Sequence, residues 1–281
     1  MPKEIKIDKN IPTEFSNFRI SEKTQETLKK QNINALFQIQ SSTFNFLYDQ
    51  NDLIGRDKTG SGKTLAFSLP ILERMRENNQ FSGKSSIKIL IMVPTRELAN
   101  QTINTMKGLM NSKNEFNTLA VYGGTSINNQ INSLQNGVDI LVATPGRLID
   151  LMERNHTNFD NLEVVIFDET DEMLKIGFQQ DIELIMKNIR KEISNKKIQF
   201  LMFSATVPSW VKGIASQYMD KNYYFVNMVN NTKNQTADTV EHTKLYTPSF
   251  NQKLEMVSDF VSVNVGKTGR CIIFTNTKSK I

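Results

Sequence analysis

The segment DKTGSGKT, at Asp57–Thr64, constrains the fold of this chain more than any other feature of its sequence. It directly follows an apolar run, Asp52–Arg56, and directly precedes a helix-forming stretch, Thr64–Glu77. A glycine-rich turn between a strand and a helix can aim successive backbone N–H groups at an anion. The order of strand, turn and helix therefore predicts a phosphate-binding loop, whereas a glycine-rich turn with a surface lysine would leave that order unexplained.

Each residue type in this segment suits one part of a nucleoside triphosphate. The glycines let the backbone curl around phosphate oxygens, the lysine places a cation on the β and γ phosphates, and the threonine hydroxyl is a ligand for Mg²⁺. Asp57 stands where the strict pattern has glycine, and a carboxylate at this position is expected to weaken binding. The residues predicted to bind the phosphates are Gly60, Ser61, Gly62, Lys63 and Thr64.

A later apolar run, Glu163–Phe167, ends in the acidic sequence DETD. When two strands are neighbours in a doubly wound sheet, their carboxyl ends lie side by side, which predicts Asp168 as a second Mg²⁺ ligand beside Lys63 and Thr64. Glu169 would then orient or deprotonate an attacking water. An acidic helix N-cap explains these carboxylates when they are taken alone, but together with the phosphate loop they indicate nucleotide hydrolysis.

Two hydroxyl groups, those of Ser204 and Thr206, close a third apolar strand. Hydroxyls at this place suit a hydrogen-bonding relay to the acidic residues, which predicts a coupling group of Asp171, Ser204 and Thr206. An ordinary turn, in which the hydroxyls bond to neighbouring backbone, explains the same residues equally well.

Short apolar runs rich in Ile, Val, Leu and Phe alternate with longer mixed segments along most of the chain. This alternation predicts an α/β fold, a doubly wound parallel sheet covered by helices on both faces. The predicted strands are Asp52–Arg56, Ile87–Val93, Asn117–Tyr122, Val138–Ala143, Glu163–Phe167, Ile198–Phe203 and Tyr223–Met228. The predicted helices are Thr64–Glu77, Arg96–Asn111, Ser126–Gln135, Arg147–Arg154, Phe178–Lys191 and Pro208–Tyr218.

Composition excludes several classes of protein. The 34 Lys and Arg residues outnumber the 29 Asp and Glu residues, which favours a polyanionic partner, although charges that only solvate the surface explain the balance as well. Apolar runs such as Ile89–Val93 are far shorter than the roughly 20 residues of a membrane span, so no membrane association is expected. A single cysteine, Cys271, excludes an internal disulfide and indicates a reducing compartment.

The pattern changes after residue 228. The segment Val229–Thr239 is crowded with Asn, Thr and Lys and has no apolar periodicity, which predicts a linker. Beyond it the pattern predicts a strand at Val240–Tyr246, a helix at Asn251–Val263 and a strand at Arg270–Thr275. This βαβ unit is too small to bury a core of its own, so it is expected to belong to a larger domain or to pack against another element.

With its motifs in this order, the chain resembles the DEAD-box RNA helicases over essentially its whole length. DKTGSGKT resembles motif I of that family, DETD motif II and Ser204–Thr206 motif III. The resemblance implies a P-loop NTPase with a RecA-like ATP-binding domain at residues 1–228, a linker at 229–239 and the beginning of a second RecA-like domain at 240–281. Other similar segments are PTREL (Pro94–Leu98), Gly123 with Gly124, TPGR (Thr144–Arg147) and IIFTNTK (Ile272–Lys278).

The resemblance also implies that the chain binds ATP with Mg²⁺. Gln40 would read the adenine edge, because a side-chain amide offers a donor and an acceptor together, and Phe15 would pack against the adenine. The family has Gly, Pro and Thr upstream of this glutamine, where the present chain has Asn32, Leu36 and Phe37. A different loop rigidity is expected from these replacements.

RNA is the partner that the resemblance implies. Its sugar-phosphate backbone would be held through guanidinium, hydroxyl and backbone N–H donors, which do not read sequence. Contacts to the 2′-hydroxyl would favour RNA over DNA. An ordinary surface salt bridge is the alternative for Arg96. The residues implied in RNA binding are Arg96, Gly124, Thr144 and Arg147.

Within the family, phrases such as RELANQ and FSATVPSW are similar to the nucleolar Gu group, also called RNA helicase II. This implies a monomeric enzyme of the nucleus and nucleolus, with the cytoplasm as the other expected location, that couples ATP hydrolysis to local RNA unwinding in ribosome biogenesis. The family's motifs V and VI, whose arginines reach the γ-phosphate, do not occur before Ile281, so this chain alone is expected to bind ATP but turn it over very slowly. The alternative is a non-catalytic, nucleotide-dependent RNA-binding scaffold.

Overall fold

The computed structural model describes residues 2–5, 11–78, 86–112, 115–193, 196–229, 241, 243–247, 249–265 and 269–275. The chain divides into two compact units, Met1–Asn230 and Asn231–Ile281. Of the predicted linker, only Val229 lies among the described residues. The proposed assignment of these units to helicase domains stays a prediction.

The larger unit is built on one sheet in which every neighbouring pair of strands is parallel. The order across the sheet is β1, β8, β2, β7, β6, β3, β5, β4. Since all strands run the same way, the loops that follow them gather at one carboxyl edge. The strands are β1 (Lys3–Ile5), β2 (Leu53–Arg56), β3 (Ile89–Met92), β4 (Thr118–Val121), β5 (Ile140–Ala143), β6 (Val164–Asp168), β7 (Gln199–Ser204) and β8 (Tyr224–Asn227).

The seven strands and six helices predicted for this unit are confirmed, with ends that shift by a few residues at most. Sequence patterns missed β1, α1, α2 and α7. No helix in the described parts of the chain is both long and apolar enough to cross a membrane. The helices of this unit are α1 (Glu22–Lys30), α2 (Gln38–Tyr48), α3 (Lys63–Glu77), α4 (Arg96–Gly108), α5 (Ile127–Gln135), α6 (Pro145–Glu153), α7 (Thr170–Ile176), α8 (Gln179–Glu192) and α9 (Ser209–Tyr218).

The sheet has an apolar cluster on each face because successive strand residues point to opposite sides. In β6, Val164 and Ile166 join one cluster, whereas Val165 and Phe167 join the other. Helices α1 to α4 cover the first face and α5 to α9 the second. Burial on both faces explains why the central strands are continuous apolar runs.

The smaller unit contains one described helix, α10 (Phe250–Asn264), which confirms the helix predicted at Asn251–Val263. The described residues of this unit form no strand. The strand predicted at Arg270–Thr275 is therefore wrong, and the described part of Val240–Tyr246 is not a strand either. A strand is stable only when it pairs with a neighbouring strand, and the described residues of this unit form no such pair.

Candidate functional site

The phosphate loop joins β2 to α3 and turns at two glycines with left-handed backbone. Gly60 has a φ of 80° and Gly62 a φ of 85°, and Gly62 is the N-cap of α3. Residues with a Cβ adopt this conformation only with strain. The loop therefore presents the amino end of a helix, with its unpaired N–H groups and positive dipole end, at the carboxyl edge of the sheet.

Lys63 is the first residue of α3 and is only 4% exposed. Its ammonium donates to the carbonyl oxygens of Asp57, at 3.1 Å, and Lys58, at 3.0 Å. It also lies 3.4 Å from Oε1 of Glu169. A phosphate at this loop would compete with two neutral carbonyls for the ammonium, and a charged acceptor makes the stronger hydrogen bond.

The Asp57 carboxylate bonds within the loop. Its Oδ1 accepts a hydrogen bond of 2.8 Å from the Lys58 N–H. The weakening of nucleotide binding by this residue stays a prediction.

Thr64 and Asp168 meet although their strands are not neighbours. The Thr64 hydroxyl donates to Oδ2 of Asp168 at 3.4 Å. Adjacency of β2 and β6, the condition under which the sequence placed these residues together, is wrong, because β7 pairs with both strands and separates them. The contact forms because α3 starts at the same sheet edge at which β6 ends.

Asp168 lies at the buried end of β6, with 2% of its surface exposed. The pKa of this carboxyl is raised to about 7, mainly by burial and also by the nearby negative charge of Glu169. Lys63, the Glu169 N–H and the Thr64 hydroxyl act in the opposite direction. The carboxyl therefore exchanges a proton near neutral pH, and a bound cation would favour its ionised form.

Glu169 has a φ of 51°, which is unusual for a residue with a side chain. It is the N-cap of α7, and its carboxylate faces the ammonium of Lys63. Strained backbone of this kind persists only where the surrounding structure holds it in place.

The oxygen donors at this edge fit a shared Mg²⁺ site. The Thr64 hydroxyl and the Asp168 carboxylate are in contact, and the Ser61 hydroxyl oxygen is buried without a hydrogen-bond partner. Among the described residues no group of three or more His, Cys, Asp or Glu side chains could hold a metal alone. Mg²⁺ commonly takes one or two protein oxygens and completes its shell with phosphates and water, so the donor set suits this ion.

The three residues predicted to couple the motifs form one network. Oδ2 of Asp171 accepts from the N–H of Thr206 at 3.0 Å and from its hydroxyl at 2.8 Å. The Ser204 hydroxyl accepts from the Asp171 N–H at 3.2 Å and donates to the Thr206 carbonyl at 2.6 Å. Burial raises the pKa of Asp171, but hydrogen bonding by Ser204 and Thr206 outweighs it and holds the pKa below its usual value.

Thr170 stands between the acidic strand end and β7. Its buried hydroxyl lies 3.2 Å from the Phe167 carbonyl and 3.3 Å from the Phe203 carbonyl, and it can donate to either. This hydroxyl adds a contact between the ends of β6 and β7.

Gln40 bridges the upstream segment to the phosphate loop. Its Oε1 accepts from the Phe37 N–H at 2.8 Å, and its Nε2 donates to the Gly62 carbonyl at 3.1 Å. Phe15, the other residue implied in adenine binding, is only 4% exposed and belongs to the apolar core. Adenine recognition by these two residues stays a prediction.

The three departures from the family pattern have different consequences. Asn32 has a φ of 62°, the conformation that a glycine would adopt freely and that asparagine tolerates better than most residues. Leu36 is buried in the core. Phe37 is 61% exposed, and its ring edge lies 3.1 Å from the point where Gly62 would carry a Cβ. An exposed aromatic ring therefore lies beside the phosphate loop.

The residues implied in RNA binding follow three adjacent strands, β3, β5 and β4. Arg96 begins α4, Gly124 lies in the turn after β4, and Thr144 is the N-cap of α6. Arg96 is exposed, pairs with Glu97 at 3.4 Å, and lies 4.0 Å from the point where Gly124 would carry a Cβ. The carboxyl edge thus carries these residues on its β3, β5, β4 side and the phosphate loop on its β2 side.

Arg147 differs from Arg96 because its side chain is only 10% exposed. Its guanidinium donates to Oε1 of Gln130 at 2.8 Å and to the Thr125 carbonyl at 3.1 Å. Sequence reasoning missed Gln130, although one signal points to it. A glutamine is the polar member of an otherwise apolar stripe on α5, which contains Ile127, Ile131 and Leu134.

Comparison with known proteins gives a consistent result. The model of the DEAD/DEAH box helicases matches residues 37–214. The ATP-dependent RNA helicase DDX50 of Mus musculus is 40% identical over 95% of this chain and 36% of its own length. The Nucleolar RNA helicase 2 of Rattus norvegicus is 37% identical over 98% of this chain and 35% of its own length.

A solved structure of a DEAD box protein from Methanococcus jannaschii matches with a TM-score of 0.66 and 31% identity, over 76% of this chain and 56% of that protein. The sheet and its helices therefore have the RecA-like arrangement of this fold family. The chain spans little more than a third of the length of the two curated relatives.

Proposed function

The chain belongs to the DEAD/DEAH box helicase family, and on that premise we propose that it binds ATP and RNA and takes part in ATP-dependent unwinding or remodelling of RNA. One observation carries this proposal. The phosphate loop and the acidic end of β6 are joined by two contacts of 3.4 Å, between Lys63 and Glu169 and between Thr64 and Asp168. A loop that holds phosphates and a pair of carboxylates at the same place are the parts that phosphoryl transfer to water requires.

Each of these residues has a distinct role in the proposal. Lys63 leaves the carbonyls of its own loop and donates to the β and γ phosphates. Thr64 and Asp168 hold Mg²⁺, which when bound neutralises charge on the phosphate oxygens. Glu169 accepts a proton from the attacking water or fixes its orientation, since it lies beside the cation that binds the phosphates.

Gln40 couples base recognition to the loop in this proposal. Its amide has two partners, the Phe37 N–H and the Gly62 carbonyl. The amide oxygen has a second lone pair and the amide nitrogen a second N–H, so Gln40 can hydrogen-bond to an adenine while both contacts remain. The bound base would then share one amide with the phosphate loop, with Phe15 as the predicted packing partner of the base.

RNA binding is proposed for the surface of Arg96, Gly124, Thr144 and Arg147. The exposed guanidinium of Arg96 lies beside the glycine turn after β4, where backbone N–H donors are also available. Such donors hydrogen-bond to phosphate oxygens without reading the base sequence. The network of Asp171, Ser204 and Thr206 connects the ends of β6 and β7, and we assign it the coupling of RNA binding to hydrolysis.

The domain assignment and the location complete the proposal. We infer a RecA-like ATP-binding domain at residues 1–228, a linker at 229–239 and the beginning of a second RecA-like domain at 240–281. The name of the rat relative supports a nucleolar location. A role in ribosome biogenesis is proposed along with that location. A monomer is proposed, and the 281-residue polypeptide assayed alone is expected to turn ATP over slowly.

Thermal unfolding with and without ATP or ADP and Mg²⁺ tests nucleotide binding. At about 100 times the Kd, ligand stabilises a protein by roughly 2.7 kcal/mol, which for a domain of this size is a rise in Tm of about 5–10 °C. Lys63→Ala is expected to abolish the rise, while Lys58→Ala, which removes an exposed side chain from the same loop, retains it. An equal rise in the Lys63→Ala variant would contradict the proposed site.

RNA-stimulated phosphate release separates an enzyme from the alternative, a nucleotide-dependent RNA-binding scaffold. Glu169→Gln is expected to retain the nucleotide-dependent rise in Tm and to lose phosphate release. If the variant and the unchanged chain both bind nucleotide and RNA but release phosphate at the same rate, the scaffold is favoured.

A further inference from the structure

Gln130 is a buried polar residue on the apolar face of α5, with 8% of its surface exposed. Its amide makes three hydrogen bonds. Nε2 donates to the Tyr122 carbonyl at 3.2 Å and to the Thr125 hydroxyl at 2.8 Å, and Oε1 accepts from Arg147 Nη1 at 2.8 Å. A buried amide with partners on both sides fixes their relative positions, because leaving any of them unpaired costs free energy.

The partners of Gln130 lie at the two ends of an exposed turn. Residues 122–125 form the turn after β4, and its two central residues, Gly123 and Gly124, are exposed. Gly124 has a φ of 81°. The Thr125 hydroxyl also approaches the Tyr122 carbonyl at 3.3 Å, so the Gln130 amide closes both ends of the turn together.

Arg147 is held by the same residue. Its Nη2 donates to the Thr125 carbonyl, and its Nη1 donates to Gln130, while its Nε is buried without a hydrogen-bond partner. Loss of Gln130 would leave the guanidinium with one of these two hydrogen bonds. The turn 122–125 and the Arg147 guanidinium would then no longer be hydrogen-bonded to the same side chain.

We propose that Gln130 is a positioning residue for RNA binding, which fixes the glycine turn 122–125 and the guanidinium of Arg147 in the arrangement that receives the RNA backbone. This inference rests on the proposed function, because it needs RNA at this surface. Backbone N–H donors act on a phosphate only when the chain that carries them is already fixed, since ordering a loose turn on binding would offset the gain.

Two substitutions of similar size distinguish positioning from packing. Gln130→Met keeps the volume and removes all three hydrogen bonds. Gln130→Glu keeps an acceptor for Arg147 but places an oxygen against the Tyr122 carbonyl. Gln135→Met is the matched control, because Gln135 is exposed at the end of the same helix.

The measurements are the Kd for a labelled single-stranded RNA, by fluorescence anisotropy, and the rise in Tm with ADP and Mg²⁺, both on the whole chain. Gln130→Met is expected to raise the RNA Kd about tenfold, since three hydrogen bonds are lost, and to leave the nucleotide-dependent rise in Tm unchanged. The RNA Kd of Gln130→Glu is expected to lie between that of Gln130→Met and that of the unchanged chain. Gln135→Met is expected to have no effect.

A packing role predicts the reverse order, because methionine suits a buried apolar face better than a carboxylate. Binding of RNA by a folded Gln130→Met variant within twofold of the unchanged chain would overturn the proposal. Equal loss of RNA and nucleotide binding would also overturn it, since the role would then be general. If Gln130→Met does not fold, Thr125→Val replaces it in the test, because Thr125 is exposed. This variant is expected to weaken RNA binding severalfold.

The proposed function can fail separately. If the unchanged chain and the Gln135→Met variant bind no RNA, the RNA-binding function itself is contradicted and the positioning role is overturned with it. If both bind RNA and Gln130→Met binds it equally well, only the positioning role is overturned.

Discussion

The hydroxyl of Thr64 donates to the carboxylate of Asp168 across the end of a strand that contains neither residue. That strand, β7, pairs with β2 through Arg56 and Ser204, and with β6 through Phe203 and Asp168. The final residue of β7, Ser204, therefore lies between the strands that lead to the phosphate loop and to the acidic residues. This position explains how Ser204 can contact Asp171 while Thr64 and Asp168 meet beside it.

Substitution of the two loop glycines is expected to have unequal effects. Gly60→Ala introduces only the strain of a left-handed backbone, roughly 1–2 kcal/mol, because no other atom lies within 4 Å of the new Cβ. Gly62→Ala has similar strain and also places the Cβ 2.4 Å from Nε2 of Gln40. The second variant should therefore show the lower Tm and the weaker ATP binding by titration. Equal effects of the two substitutions would show that the contact with Gln40 is unimportant.

Asp168→Asn is expected to change the pH dependence of stability. The pKa of Asp168 is raised from 3.8 to about 7, so between these values the folded chain binds a proton that the unfolded chain has released. Stability from this group is present below pH 3.8 and is lost as the pH rises through about 7. The variant should unfold at a higher temperature than the unchanged chain at pH 8, and the difference should disappear towards pH 4.

The same substitution should abolish the part of nucleotide affinity that depends on Mg²⁺. A suitable control is Glu153→Gln, which neutralises an exposed carboxylate at the C-terminal end of α6. A Tm difference for Asp168→Asn that is constant from pH 4 to pH 8 would contradict the raised pKa.

Thr206→Val is expected to destabilise the fold by roughly 1–2 kcal/mol, because it removes a hydroxyl donor to the Asp171 carboxylate. The pKa of Asp171 is held below its usual value, so the stability from this contact is present above pH 3.8 and is lost as the pH falls through the lowered value. Thr206→Ser keeps the hydroxyl and should behave like the unchanged chain. Chemical denaturation at pH 7 measures the difference, and identical curves for the two variants would rule out the hydroxyl contact.

Arg96→Ala is expected to weaken RNA binding without a change in stability. Its exposed ion pair with Glu97 contributes little to folding, so the free energy of unfolding should change by less than about 0.5 kcal/mol. Loss of one phosphate contact should reduce the slope of log K against log salt by about 0.7 for a single strand. Arg154→Ala, an exposed arginine at the far end of α6, is the control. An unchanged salt slope in the Arg96→Ala variant would remove this residue from the RNA-binding surface.

Sequence reasoning placed the strands and most helices of the larger unit correctly because these features have local causes. An apolar run bounded by turn residues forms a strand wherever both faces are covered, as in Val164–Asp168. It missed α7, which occupies only Thr170–Ile176 and begins at the strained backbone of Glu169. It also predicted a strand at Arg270–Thr275, where the described residues offer no neighbouring strand.

The candidate site could be predicted in part. The motifs predicted the residues of the phosphate loop and of the acidic strand end, but the order of the strands between them is a long-range property. The contacts of Gln40 with Gly62, and of Gln130 with the turn 122–125, join segments whose spacing along the chain carries no periodic signal.

The amino-acid sequence by itself determined the alternation of strands and helices, the left-handed glycines of the phosphate loop and the placement of acidic residues at a strand end. These follow from apolar periodicity and from the backbone freedom of single residue types. Only the tertiary structure decided that β7 separates β2 from β6, that Arg147 is hydrogen-bonded to Gln130, and that Asp168 is buried deeply enough to titrate near pH 7. Each of these depends on which distant segments share a neighbour, because solvent exclusion and hydrogen-bond partners are set by packing in three dimensions.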